Sequence, residues 1–488
     1  MVNRKSFSIG LNFLMNVILT ISSFIFPLIT FPYISRILQA DGVGKIQLAS
    51  SYVAYFLAFS QLGLPIYGIR ACAIVRDDRF KLSKTVHELL IIQIVMTILS
   101  YIILFFTIRT IPRLWDEKNL YLITSMIIFL NTLGVEWLFK AMEQYTYIAI
   151  RSLIFKVISI LAMFLLVHEQ DDYKLYAGIS VFASSGSNLL NLTQIGKYID
   201  FKPVSNYNIK QHIKPVLILF ANTCATIIYT NLDSVMLGFM ATDADVGYYS
   251  VAIKVKNILV GVVTALGAVL LPRMSYYFDQ GKKEQFWLFV EKSMHFVLIL
   301  ALPLTVFFMI FAENSIPFLS GEGFTLAVQP MVIIMPTLLC IGFTYVMGMQ
   351  VMVPMGKETI VLWASAFGAI IDLILNTVLI PSFKASGAAI GTLAAEIVVF
   401  IVQFWALRKE MIPIFHKLQI PIVALATACA SLASFWIKFF SCGNFIILVS
   451  SAAIFFLIYL LVLHIAKEPF VCDMERRLLK GIKRFLKL

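Results

Sequence analysis

Residues 24–70 read FIFPLITFPYISRILQADGVGKIQLASSYVAYFLAFSQLGLPIYGIR. This is a long apolar helix, a tight polar loop (Gln39-Ala-Asp-Gly-Val-Gly44) and a second apolar helix that closes at Gly63-Leu-Pro65 before Arg70. The layout returns after residue 215, where the loop reads Thr242-Asp-Ala-Asp-Val-Gly247 and the second helix ends at Leu271-Pro272-Arg273. A chain that repeats its opening pair of helices reads as two related halves. Its function is expected between them.

Hydrophobic residues make up 60% of the 488 and charged residues only 14%, with a mean hydropathy of +0.88. Soluble domains carry about 25% charged residues, whereas runs of about 20 apolar residues cross a bilayer as helices. The chain therefore reads as an all-α polytopic membrane protein. Fourteen spans are expected, roughly at 10–36, 46–69, 86–108, 119–139, 147–167, 174–195, 215–240, 248–271, 293–312, 328–353, 359–380, 386–407, 418–438 and 444–465. Matching motifs order the first twelve as a parallel repeat around a central cavity, an arrangement suited to alternating access. The expected domains are a six-helix lobe over 1–200, a second over 201–410, two added helices over 411–466 and a basic amphipathic tail over 467–488. The apolar stretch from Ile9 to Ile34 is too long for a signal peptide and has no small-residue cleavage site, so it reads as the first span.

Charge placement gives the orientation. With the N-terminus inside, 28 of the 39 lysines and arginines fall on inner connections, 8 on outer ones and 3 within spans. That bias predicts both termini in the cytoplasm. The net charge of +12 then serves topology and attraction to anionic lipid headgroups, not nucleic acid. Six scattered cysteines, with no Cys-x-x-Cys pair and no histidine at ligand spacing, predict no metal, redox or cofactor chemistry.

Polar side chains in hydrocarbon are costly and tend to face a bundle interior. The first span carries Asn12, Asn16, Thr20 and Ser23 on one stripe, and its repeat partner carries Asn222, Thr226, Thr230 and Asp233 at the same spacing. These, with Lys254 and Asn257 on one face of the eighth span, are the candidate cavity lining; helix–helix hydrogen bonds and snorkelling are the alternatives. Candidate gate or ion-coupling residues are Arg36, Arg70, Glu136, Lys140, Arg151, Lys156, Asp372, Asn376 and Glu396. Glu136, Lys140 and Glu143 lie on one helix face, where a surface ion pair is the default.

No nucleotide-hydrolysis signature is present, since Glu358 follows Gly356-Lys357 where a phosphate loop needs Ser or Thr. His87-Glu88 opens like a zinc-protease motif, but Ile91 stands where the second histidine belongs. Asp243-Ala-Asp245 is similar to the acidic pair of a membrane glycosyltransferase, yet the connections are too short for such an enzyme's outer domain.

The run from Phe26 to Gly44, followed by Gly63-Leu-Pro-Ile-Tyr-Gly-Ile-Arg70, resembles the start of bacterial polysaccharide-unit flippases of the multidrug/oligosaccharidyl-lipid/polysaccharide exporter superfamily. Glu136-Trp-Leu-Phe-Lys140, Glu143-Gln-Tyr, Asn231-Leu-Asp233, Val246-Gly-Tyr-Tyr-Ser250, and Asn376 with Leu379-Ile-Pro381 extend the resemblance over the first twelve spans. It implies two six-helix lobes with a V-shaped cavity in the bacterial cytoplasmic membrane. It also implies a transporter that moves an undecaprenyl-pyrophosphate-linked oligosaccharide to the outer leaflet for O-antigen, capsule or exopolysaccharide assembly. The expected partners are membrane lipids, a polysaccharide polymerase, a chain-length regulator and H+ or Na+ as coupling ion. The competing readings are a cation-coupled multidrug exporter, a lipid II flippase and, from another class, a membrane glycosyltransferase or polymerase.

Overall fold

The structure is a computed structural model that describes residues 9–203, 206–440 and 442–472; most of the basic tail lies outside them. Every described element is helical. The chain divides into two compact units, Met1–Gly247 and Tyr248–Leu488.

The first unit holds α1 (Ile9–Gln61), α2 (Leu64–Val75), α3 (Arg79–Thr110), α4 (Pro112–Asp116), α5 (Lys118–Gly134), α6 (Glu136–Ala141), α7 (Tyr145–Leu166), α8 (Tyr173–Ser185), α9 (Leu189–Ile195) and α10 (Lys210–Met240). The chain passes into the second unit within α11 (Asp243–Asp279). There follow α12 (Lys283–Ile310), α13 (Ala312–Ser320), α14 (Val328–Ile334), α15 (Thr337–Tyr345), a π-helical turn (Val346–Met352), α16 (Glu358–Ala406), α17 (Arg408–Lys417), α18 (Ile420–Phe435) and α19 (Asn444–Ile465).

Among the described residues, eight segments are long and apolar enough to cross a membrane, or ten when each of two sharply bent pairs counts as one span. Two of the eight, Val17–Val75 and Glu358–Ala406, run for 59 and 49 residues, well beyond the roughly 20 that one crossing needs. Each contains a residue in the left-handed region, Gln39 (φ 55°) and Lys384 (φ 50°), a conformation uncommon for a side chain with a Cβ.

The six-residue loop expected at 39–44 is thus a break at Gln39, with helix resuming at once. Packing supplies the reason. A Cβ on Gly44 would meet the Asp243 carbonyl oxygen and stand 2.9 Å from Gly247 N, so this stretch lies tight against the corresponding turn of the second repeat. That turn is also shorter than expected, because Thr242 and Asp245 cap α11. Thr242 Oγ1 accepts from the Asp245 amide at 3.2 Å and Asp245 Oδ2 accepts from the Thr242 amide at 3.2 Å, the reciprocal pattern of a capping box.

Within the first unit α1 is the central element, packing on α3, α5, α7 and α10. A buried cluster of Leu64, Cys72, Leu82, Val86, Leu89, Trp137 and Leu138 joins α2, α3 and α6. Gly68 makes room for it, since a Cβ there would stand 2.8 Å from the Trp137 ring. In the second unit, α14 and α15 pack on α16, while α18 pairs with α19 and also contacts α12.

Candidate functional site

The site starts at a break in the backbone. α5 ends at Gly134, and Val135 adopts a left-handed conformation (φ 38°, ψ 40°) before α6 begins at Glu136. For a β-branched residue this is a strained geometry, and it persists because neighbouring residues hold it. Val135 is fully buried, and the Gly134 carbonyl accepts from Asn191 Nδ2. A Cβ on Gly134 would press into the Asn188 side chain at 2.6 Å.

The break directs Glu136 toward α7. Arg151, only 2% exposed, donates from Nη2 to Glu136 Oε2 at 3.0 Å. Its Nη1 donates to Ser187 Oγ at 3.0 Å and to Asn188 Oδ1 at 2.8 Å. Lys140 holds the other Glu136 oxygen at 2.8 Å. A buried guanidinium with a carboxylate and two neutral acceptors satisfies the requirement for paired buried charge.

One and a half turns along α7, Lys156 Nζ donates to Ser22 Oγ at 2.9 Å and Ser23 Oγ at 3.1 Å on α1. Between Glu136 and Lys156 opens a cavity of about 340 Å³. Its polar lining is Glu136, Lys156, Ser23, Ser152, Ser180 and Ser184, set among Leu19, Phe26, Ile148 and Ala183. One carboxylate, one ammonium and four hydroxyls in a helical wall form a hydrogen-bonding recess. Its volume lies within the usual range for small-ligand pockets, about 300–1,000 Å³.

The structure thus brings together Glu136, Lys140, Arg151 and Lys156 of the expected residues. Arg36 and Arg70 do not join them. Both are exposed, and Arg36 Nη1 donates to the Pro32 carbonyl at 2.5 Å. The side chains of Asn12, Asn16 and Asn222 lie outside the described residues. On the same two stripes, Thr20 and Thr226 are exposed, while Asp233 is buried. In the second unit Lys254 is half-buried, Asn257 is exposed and Lys256 is buried. There Asp372 and Asn376 are both buried and face Gly391 of the same long helix, α16. A Cβ on Gly391 would meet Asn376 Oδ1 and stand 2.9 Å from Asp372 Oδ1. Glu396 is buried one turn beyond Thr392.

Sequence reasoning missed Ser152, Ser180, Ser184, Ser187 and Asn188. The run Ser184-Ser-Gly-Ser-Asn188 was the available signal, since four polar residues in a spanning segment need partners.

A second polar cluster surrounds the break at Gln39. Glu117 receives Lys45 at 3.4 Å, Lys174 at 3.6 Å and the Tyr173 hydroxyl at 2.8 Å. Arg113 reaches Asp243 at 2.9 Å. Asp243 and Asp245, the acidic pair, are therefore occupied by an ion pair and a helix cap.

A family described as polysaccharide biosynthesis protein matches residues 9–278, more than half of the chain. The chain belongs to this family. Among curated relatives, a protein of Escherichia coli (strain K12) named "Putative O-antigen transporter" is 22% identical over 413 residues, which cover 84% of this chain and 99% of that one. A protein of the same name from Shigella dysenteriae is 24% identical over 79% of this chain and 97% of its own. Among solved structures, lipid II flippase MurJ in an inward closed conformation superposes with a TM-score of 0.67 at 18% identity, covering 93% of this chain and 98% of that one. An inward-facing multidrug resistance transporter of the MATE family superposes with a TM-score of 0.57 at 13% identity, covering 77% and 94%. This family member is thus a multi-pass helical membrane protein whose fold is shared with transporters and flippases.

Proposed function

We propose that the protein is a flippase, not an enzyme, that carries polyprenyl-diphosphate-linked oligosaccharide units from the inner to the outer leaflet of the bacterial cytoplasmic membrane. The observation that carries this reading is the recess between Glu136 and Lys156, a charged and hydroxyl-rich surface built into membrane helices. Sugar hydroxyls both donate and accept, and serine hydroxyls answer them in either role. The half-buried Lys156 ammonium and Glu136 carboxylate add stronger, charge-assisted bonds. Transport by alternating access with both termini in the cytoplasm, serving O-antigen, capsule or exopolysaccharide assembly, completes the proposal. Asp372, Asn376 and Glu396 are the proposed coupling residues for H+ or Na+, because buried carboxylates in membrane helices mark ion pathways.

The deciding experiment deletes the gene in a strain with a visible surface polysaccharide and extracts lipid-linked oligosaccharide. Complete units are expected to accumulate on the inner leaflet, with drug tolerance unchanged. If surface polysaccharide persists and cationic drugs become toxic, the oligosaccharide reading fails and the protein works as a drug exporter. Accumulated lipid II with arrested cell-wall growth would equally overturn it.

A further inference from the structure

At the far end of α3 the chain turns through α4 into α5, and the turn carries an arrangement that the transport reading does not use. Arg109 closes α3, Trp115 lies on α4 and Lys118 opens α5. The Arg109 guanidinium stands 4.7 Å from the centre of the Trp115 ring and the Lys118 ammonium 4.3 Å from the same centre. Two like charges therefore share one indole. The ring's π face attracts each cation but does not neutralise either.

Among the described residues, three neighbouring cations at this end of the unit are matched by carboxylates. Lys45 and Lys174 reach Glu117, and Arg113 reaches Asp243. Neither Arg109 nor Lys118 pairs with a carboxylate among the described residues, and Asp116 beside them forms no ion pair with either. The two border a groove of about 530 Å³ whose walls are Phe105, Phe106, Ile108 and Leu122, with Asn119 on its rim. Phe105 and Phe106 are 51% and 66% exposed, on a helix apolar enough to span the bilayer.

We infer that this groove is a binding site for an anionic phospholipid. The phosphodiester would sit between Arg109 and Lys118, and the acyl chains would lie along Phe105, Phe106 and Leu122. A free phosphate would use only the cations and leave the apolar walls bare, whereas a lipid covers both. An interfacial tryptophan with snorkelling cations is common in membrane proteins. Here two cations converge on one ring beside a groove, which gives the anion a defined place.

The test uses the full-length protein, delipidated in detergent and titrated with phosphatidylglycerol, phosphatidylcholine or inorganic phosphate. Bound lipid is read by native mass spectrometry and thermal stability by tryptophan fluorescence. Two basic groups near a membrane surface correspond to a preference of about thirtyfold for the anionic lipid. Phosphatidylglycerol is expected to bind with that preference and raise the melting temperature, while inorganic phosphate does neither. The double variant Arg109→Ala/Lys118→Ala should lose the preference, and the charge-retaining Arg109→Lys/Lys118→Arg should keep it. Lys409→Ala, which removes a charge elsewhere, should leave it unchanged. Equal retention of both lipids by the wild type, or an unchanged preference in the double alanine variant, overturns the inference. So does an equal loss of preference in Lys409→Ala.

Discussion

Arg151 shows how one residue couples backbone geometry to chemistry. Its guanidinium fixes Glu136, Ser187 and Asn188 at once, and Asn188 in turn packs on the strained turn at Gly134-Val135. Arg151→Ala leaves Glu136 with Lys140 alone and strands two buried acceptors. Losing one partner of a buried pair costs about 3–5 kcal/mol. Glu136 is 34% exposed, which reduces the expected loss to about 2 kcal/mol. Arg151→Lys keeps the charge but cannot form the planar, forked contact. Both variants should fail to restore surface polysaccharide in a deletion strain, with Arg151→Lys the more abundant of the two in the membrane. Normal surface polysaccharide in either would place the recess outside the transport route. The pairing of Glu136 with Lys140 was legible from their spacing of four. The presence of Arg151, fifteen residues on, was not, because it depends on how α7 packs beside α6.

At the scale of elements, the two repeat turns meet as well as match. A Cβ on Gly44 would strike the Asp243 carbonyl, and a Cβ on Gly247 would strike the Ala40 carbonyl. Each glycine is needed for close approach. Overpacking costs about 1–3 kcal/mol, so Gly44→Ala and Gly247→Ala should each lower thermal stability in detergent by that order. An alanine accepted at either position without loss would show that the turns do not pack as described. The sequence revealed both Val-Gly motifs as a repeat, but one strand of text carries no sign that the copies touch.

A second contact between elements responds to pH. The Arg79 guanidinium bonds Asp200 Oδ1 from Nε at 3.0 Å and from Nη2 at 2.8 Å. This holds the Asp200 carboxyl below the ordinary aspartate range. A carboxyl depressed on folding adds stability that is fully present above its unfolded value, about 3.9, and that fades as pH falls through the folded one. Asp200 is exposed, so the effect is small. Melting temperatures followed from pH 7 downward should fall less steeply in Arg79→Gln than in the wild type. Parallel curves would mean that the pair adds nothing in solution.

For the whole molecule, the proposed ion coupling is tested at Asp372, buried in α16. Asp372→Asn preserves size beside Gly391 and Asn376 while removing the ionisable carboxyl. Membrane abundance is expected to hold, while transport loses its response to collapse of the proton or sodium gradient. An unaltered response would assign ion coupling elsewhere. Of the fold, the helical class and the membrane were legible throughout, because 60% apolar residues leave hydrocarbon as the only medium that suits them. Within the first unit α10 packs on α1 and α2, contacts that no periodicity in the sequence displays.

The sequence alone determined the composition of the spans, the repeat of the opening helices and the polar residues that needed partners. Those properties follow from local chemistry: apolar length, backbone hydrogen bonding within a helix and the cost of charge in lipid. Tertiary structure alone decided which partners meet. It set Val135 into a left-handed turn, brought Glu136 and Lys156 to one recess with Arg151 behind Glu136, and left Arg36 and Arg70 outside it. It also pressed Gly44 against Asp243. A helix records which residues share its own face, but the angle and depth at which another helix crosses it come from the packing of both.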